Sequence, residues 1–228
     1  MNNPIKINKK ISSYNAKITI DGDKSLSIRW VLLASQAIGK SKAYKLLKSE
    51  DVMNTISCLK KLGVKIKIKN NYCEIIGRGL NGFNYKKNIV LNAGNSGTLG
   101  RLILGLLVHS KKKIKLIGDK SLSKRDFSRV TKPLRKFGAQ FYPNKNVKLP
   151  LSIVGSQITK PINYFENKGS AQCKSSIMLA ALNTSGTTTI KAKKSRNHTE
   201  LLFKYLKIPI KIKNEGKFDF IKIEGKRE

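Results

Sequence analysis

Apolar positions along the chain recur with two periods, and the changes between them mark the elements. Strict alternation predicts strands at residues 17–20, 42–46, 64–68 and 72–76, the last two joined as a hairpin around Asn70-Asn71. Apolar residues three and four apart predict helices at 25–38, ended by Gly39, and at 49–62. Ser49 can cap the second helix, Glu50 and Asp51 suit its positive end, and Gly63 stands where a terminating glycine belongs. The order then returns, with strands at 88–91, 113–117, 139–142 and 147–154 and helices at 96–109 and 127–137, Asp126 a cap for the latter. A third pass gives strands at 161–165, 187–191, 209–213 and 218–223 and helices at 170–182 and 198–206. Asn197 followed by Glu200 fits a capping box.

The chain therefore reads as three copies of β-α-β-α-β-β, beginning near residues 17, 88 and 160, at spacings of 71 and 72 residues. The segments Cys58-Leu-Lys-Lys-Leu-Gly63, Pro133-Leu-Arg-Lys-Phe-Gly138 and Phe203-Lys-Tyr-Leu-Lys207 echo one another at equivalent places. A period this long is a repeated domain unit, not a solenoid. Each unit has one apolar and one amphipathic helix, so the predicted fold is an α/β (α+β) domain whose sheets wrap buried apolar helices. Its units span about 15–85, 86–157 and 158–228. Three-fold pseudo-symmetry then points three equivalent helix N-termini to one end.

Those helix starts carry the candidate chemistry. They read Gly22-Asp-Lys-Ser-Leu-Ser-Ile-Arg29, Gly94-Asn-Ser-Gly-Thr-Leu-Gly-Arg101 and Lys168-Gly-Ser-Ala-Gln-Cys-Lys174. Each has a glycine ahead of a serine and a cation four or five residues after that serine. Capping accounts for the serines but not for Lys24, Arg29, Arg101 and Lys174. Free helix N–H groups, a positive dipole end and matched cations in register make a composite polyanion site.

Composition narrows the field further. With 39% apolar residues among 228 the chain can build a core. No apolar run approaches the ~20 residues of a membrane span, and the first ten residues lack the apolar segment of a signal peptide. Three cysteines and two histidines show no metal-ligand spacing, so neither a metal site nor a disulfide is expected, and the chain reads as reduced and cytoplasmic. The formal net charge of +34 favours anionic partners. Nucleic acid is the first polyanion to consider. The lysines are spread along the whole chain, however, and the 7% aromatic residues sit mostly in strand patterns, so nucleic acid is not the expected partner.

Five segments in order resemble the 5-enolpyruvylshikimate-3-phosphate synthase family. They are residues 22–29, Gly94-Asn95-Ser96-Gly97-Thr98 with Arg101, Gly118-Asp-Lys-Ser-Leu-Ser-Lys-Arg125, Ser170-Ala-Gln-Cys-Lys-Ser175 and Ser195-Arg-Asn-His-Thr-Glu200. The resemblance covers nearly the whole chain. It implies one domain of a two-domain inside-out α/β barrel. The implied reaction is transfer of the enolpyruvyl (carboxyvinyl) group from phosphoenolpyruvate to shikimate 3-phosphate, with release of phosphate and no metal or organic cofactor. Carried over by motif, Lys24, Ser25, Arg29, Ser170, Ala171, Gln172, Ser195 and Arg196 bind shikimate 3-phosphate. Lys24, Gly97, Arg125 and Gln172 lie on phosphoenolpyruvate. Asn95, Thr98, Arg101 and Lys174 support them, Arg101 by ligand contact or by tying its turn. Outside these roles, Ser121 and Ser123 shape a loop and Cys173 fills core space. His109 is expected as a favourable charge at a helix C-terminus, and His198 as a helix-start residue without a proton-transfer role.

The sequence also departs from the family. Asp126 and Phe127 follow Arg125 where the family has proline and methionine, and Asn197 replaces an aspartate. Family members are nearly twice as long, and the other half brings the acid/base carboxylates, so no catalytic residue is expected in this chain. Residues 1–14 are then an orphan strand belonging to the absent domain. The expected partner beyond the two anionic substrates is a separately made C-terminal domain, without which turnover is negligible. Two other readings compete. A UDP-N-acetylglucosamine enolpyruvyl transferase calls for asparagine after Lys24 and a cysteine in the second unit, and Ser25 and the gap between Cys73 and Cys173 count against it. A basic nucleic-acid-binding module, of the kind related to RNA 3′-phosphate cyclases, has the charge in its favour.

Overall fold

Three β-sheets, each made from one contiguous stretch of chain, surround a layer of buried helices. The computed structural model describes residues 6, 8–10, 12–70, 72–143 and 145–226. The first stretch holds α1 (Lys24–Ala34), β1 (Ile38–Tyr44), α2 (Glu50–Lys61), β2 (Lys65–Ile68) and β3 (Tyr72–Arg78). The second holds β4 (Val90–Asn92), α3 (Gly97–Leu106), β5 (Ile114–Ile117), α4 (Lys120–Ser123), α5 (Ser128–Lys136), β6 (Gln140–Tyr142) and β7 (Leu151–Val154). The third holds β8 (Asn163–Glu166), α6 (Ala171–Leu182), β9 (Gly186–Lys193), α7 (His198–Tyr205), β10 (Ile210–Glu215) and β11 (Phe218–Gly225).

The two four-stranded sheets share one topology. Their orders are β4-β5-β7-β6 and β8-β9-β11-β10, each opening with a parallel pair and closing with antiparallel ones. The first sheet has the order β1-β3-β2 and lacks the leading parallel strand. Residues 17–20, where alternation predicts that strand, have no regular structure, and Ile18 and Ile20 are 71% and 75% exposed. Alternation reports that one face wants burial; it does not supply the neighbouring strand that a ladder needs. For residues 1–14, expected as an orphan strand poorly packed or disordered without its partner domain, the described residues have no regular structure, and the rest of that span lies outside them. Asn71 of the expected hairpin turn also lies outside them, while Lys69 N–H bonds the Tyr72 carbonyl across the turn at 2.8 Å.

Helices α1, α3 and α6 are the apolar ones and form the centre. In α3, Leu99, Leu102, Ile103 and Leu104 are completely buried, each such side chain contributing about 1.5–3 kcal/mol relative to exposure. Gly105 sets how closely α3 approaches α6, because a Cβ there would lie 2.2 Å from the Ser176 carbonyl oxygen. The predicted helix at 25–38 stops at Ala34, and Ile38 already belongs to β1. Strand β3 packs so tightly against that turn, with Arg78 N–H on the Ser35 carbonyl at 2.9 Å, that the chain leaves the helix a turn early. Two caps also differ from expectation. Ser49 makes no side-chain cap bond and neither does Asn197, and Glu200, the other half of the expected capping box, turns instead to a buried lysine.

Candidate functional site

The starts of α1, α3 and α6 converge, as matched helix N-termini require. Each is capped by its own side chain: Asp23 accepts from Leu26 N–H at 2.7 Å, Ser96 from Leu99 N–H at 3.2 Å, and Ser170 from Cys173 N–H at 3.3 Å. Capping leaves other first-turn N–H groups free, so the positive ends remain available. Between α1 and α6 lies a cavity of about 370 Å³ lined by Ser25, Arg29, Thr98, residues 169–172, Ser195, Arg196 and His198. Seven residues named from sequence, Ser25, Arg29, Ser170, Ala171, Gln172, Ser195 and Arg196, thus share one wall system with Thr98.

The lining is strongly cationic and partly unsatisfied. Arg29 is only 5% exposed. Its Nε donates to Thr199 Oγ1 at 2.8 Å, Nη1 to the Ser25 carbonyl at 2.9 Å and Nη2 to Ser175 Oγ at 3.3 Å. Burial lowers its pKa, Glu200 opposes that, and Arg196 adds to it. An arginine held this way is fixed in direction, and its charge is incompletely offset. The Ser195 hydroxyl is buried and has no hydrogen-bond partner among the described residues. A buried polar atom left unpaired costs about 1–3 kcal/mol, and an anion in the cavity is the natural acceptor for it.

Arg101 ties this cavity to a second cluster. Its Nη1 donates to Gln172 Oε1 at 2.8 Å and to the Gly97 carbonyl at 3.3 Å, and its guanidinium lies 5.2 Å from the centre of the Phe127 ring. Gln172 Nε2 donates onward to Thr98 Oγ1 at 3.0 Å. Of the two roles open to Arg101, tying the turn is therefore filled. Burial lowers its pKa, as do Arg129 and Arg125, while Asp126 opposes. Gly97 sits beneath these cations: a Cβ would lie 2.7 Å from Arg101 Nη1 and 3.2 Å from Arg125 Nη1. Exposed Arg125 reaches Asn95 Oδ1 at 3.4 Å, and Asn95 Nδ2 donates to Asp119 at 2.5 Å. Gly97, Arg125, Arg101 and Asn95 thus form one basic group beside the cavity. Asp126 does not compete for Arg125, because it accepts from Ser128 N–H at 2.8 Å and from the Ser128 hydroxyl.

Two predicted cations are placed differently. Lys24 is exposed and pairs with Asp51 of α2 at 3.5 Å. Lys174 is completely buried, paired with Glu200 and, at 3.7 Å, with Asp219. It therefore faces the core between α6, α7 and β11 and does not reach the cavity surface. Sequence reasoning missed Glu166, which is 5% exposed and accepts from Lys168 N–H at 3.2 Å and Ser170 N–H at 3.0 Å. Its signal was a lone acid at a strand end, two residues before the glycine-serine turn that it shapes. His198 lines the cavity. His109 is not the expected cation: burial, with Lys226 adding, lowers its pKa to about 4, and its Nε2 lies 2.8 Å from Thr159 Oγ1. Cys173 is buried and its thiol is pushed up to about 12, which suits packing and not nucleophilic attack. Among the described residues no group of three His, Cys, Asp or Glu side chains is placed to hold a metal, and no helix is long and apolar enough to cross a membrane.

Comparison with known proteins decides the family, because the family model for EPSP synthase (3-phosphoshikimate 1-carboxyvinyltransferase) matches residues 8–228. The chain belongs to the EPSP synthase family. A 3-phosphoshikimate 1-carboxyvinyltransferase of Streptococcus mutans is 43% identical over 202 residues, covering 88% of this chain and 47% of the relative. One from Caldicellulosiruptor saccharolyticus is 42% identical over 194 residues, covering 83% of this chain and 44% of the relative. The solved EPSP synthase of Acinetobacter baumannii superposes with a TM-score of 0.83 at 36% identity, over 92% of this chain and 47% of that one. The chain thus spans about half the length of the family members it matches.

Proposed function

We propose that this chain forms the substrate-phosphate half of an enolpyruvyl transferase acting on shikimate 3-phosphate and phosphoenolpyruvate. The observation that carries the reading is the buried, unpartnered Ser195 hydroxyl in a cavity shared with Arg29, Arg196 and the N-terminal turn of α6. A phosphate monoester accepts from all of these together. Helix N–H groups, fixed arginines and a waiting hydroxyl need no reorganisation when it arrives. Ser25, Ser170, Ala171 and Gln172 would complete the contacts to this first substrate. The basic group at Gly97, Arg125 and Arg101, joined through Gln172, would take the second.

Both substrates are multiply anionic, so bringing them into reacting distance costs Coulomb energy that cations and dipoles must offset before carbon–oxygen bond formation. This part of catalysis belongs to the present residues. The acid/base steps belong to the half of the family's length that this chain does not span, and turnover requires that half. Lys24, held by Asp51 at the rim, would be released to the substrates when the cleft closes. Titration calorimetry of the chain with shikimate 3-phosphate and with shikimate tests the reading. Binding of the phosphate ester alone is expected, and equal heats for both compounds would refute it. Phosphate release from phosphoenolpyruvate plus shikimate 3-phosphate is expected only after addition of a complementary C-terminal half.

A further inference from the structure

The outward face of the third sheet carries aromatic rings among lysines, on the far side of the sheet from the helices. Alternation along β9 and β11 sends Ile190, Ala192, Ile221 and Ile223 inward, where they are buried, and leaves Lys191, Phe218 and Phe220 on the other face. Cross-strand register then sets Phe165, Lys191, Phe220 and Lys213 in one row across the four strands. Lys191 lies 5.4 Å from the centre of the Phe165 ring, 5.0 Å from Phe218 and 5.4 Å from Phe220. The adjoining row holds Lys222 and Lys211, and the cupped surface encloses about 580 Å³. Phe165 is 51% exposed, an unusual position for phenylalanine if packing were its only role.

The chemistry of this face differs from that of the first sheet. There, Glu74 pairs with both Lys40 and Lys42 and offsets one of their two charges. On the third sheet Glu215 pairs with Lys213 at the edge, while Lys191 at the centre rests on rings, with no carboxylate paired to it among the described residues. Aromatic faces on a sheet, flanked by lysines about 7 Å apart along β9 (Lys191, Lys193) and β10 (Lys211, Lys213), take stacked bases on the rings and phosphates on the ammonium groups. We infer that this face of the third sheet is a binding surface for single-stranded nucleic acid, distinct from the small-anion cavity at the helix N-termini. A duplex has its bases already stacked and cannot use the rings. An anionic lipid surface would reward the lysines but not a concave floor of phenyl rings.

The test is fluorescence anisotropy of the full chain with labelled twelve-nucleotide oligo(rU) and oligo(dT), and with a twelve-base-pair duplex, at 150 mM NaCl. At least one single strand should bind more tightly than the duplex, and the tighter of the two identifies the sugar preferred. The double variant Phe165→Leu/Phe220→Leu keeps apolar contact but removes two ring faces, and should weaken that binding about tenfold or more. A control, Lys65→Gln/Lys67→Gln on the first sheet, removes two exposed charges elsewhere and should weaken it less than threefold. Unchanged thermal unfolding confirms that both variants fold; should the double leucine variant unfold early, the single variant Phe165→Leu at the exposed ring replaces it and should weaken binding about fivefold or more. Undiminished binding by the ring variants overturns the inference, because charge alone then explains the affinity. So does duplex binding equal to single-strand binding, or a lack of binding, or ring-dependent capture of phosphatidylglycerol vesicles.

Discussion

At the scale of single residues, the chain separates groups that hold the fold from groups that wait for a ligand. Ser195 is of the second kind. Its hydroxyl has no hydrogen-bond partner among the described residues, so Ser195→Ala removes an unpaired buried group and should raise stability in urea unfolding by about 1–3 kcal/mol. The same change should weaken shikimate 3-phosphate binding about tenfold, the worth of a hydrogen bond to a charged group. Lys174 is of the first kind. Removing it by Lys174→Met strands Glu200 and Asp219 in the core, 3% and 7% exposed, and should cost about 3–5 kcal/mol in urea unfolding. His109 adds a pH dependence. Its folded pKa of about 4 lies below the unfolded 6.5, so the unfolded chain binds more protons between those values. Stability should be fully present above pH 6.5 and fall as pH drops towards 4. The loss is on the order of 1 kcal/mol after allowing for the half-exposed ring, and His109→Gln should flatten it in chemical denaturation at pH 7 and pH 4.5.

At the scale of elements, the apolar pattern located every described helix of eight residues or more. Helices α2, α5 and α7 bury one face, while α1, α3 and α6 are apolar and buried nearly all round, and burial is what the spacing records. It failed where neighbours decide. Residues 17–20 alternate correctly yet remain unpaired, since a strand exists only against another strand. The helix at 25–38 ended early because β3 packs on its last turn, a contact between residues forty positions apart that no local pattern encodes. The site divides the same way. Glycine-serine turns at helix starts are local, so Ser25 and Ser170, which line the cavity, and Gly97 beside it were legible. Whether a cation faces ligand or core depends on what packs above it, so Lys174 was not distinguishable from Arg29 by spacing. Two of the three glycines of α3 would show the difference experimentally. Gly105→Ala sets a Cβ 2.2 Å from backbone of α6 and should destabilise by about 1–3 kcal/mol. Gly97→Ala meets arginine ends, which can yield, so differential scanning calorimetry should find a smaller loss, with the damage appearing in phosphoenolpyruvate binding.

At the scale of the whole molecule, charge is the dominant feature. A formal +34 on 228 residues must strain the compact state, because folding brings like charges closer than the open chain does. Carboxylates are too few to relieve this, 13 against 47 lysines and arginines, and Asp51, Glu74, Glu200, Asp219 and Glu215 are each already paired with a lysine. Repulsion among exposed lysines acts over distances that salt screens, the Debye length falling from about 30 Å at 0.01 M to about 10 Å at 0.1 M. The buried pairing of Lys174 with Glu200 and Asp219 is shielded from that effect. Added salt therefore removes much of the cost and little of the gain. The thermal midpoint should rise as NaCl goes from 10 to 200 mM, measured by circular dichroism at pH 7.5. The opposite sign is expected of a protein held together by exposed ion pairs, and a falling midpoint would show that the surface lysines here stabilise the fold. Phosphate at the same ionic strength should raise the midpoint further than chloride. It screens the surface equally but also occupies the cavity at the helix N-termini, and Ser195→Ala should remove only that second increment.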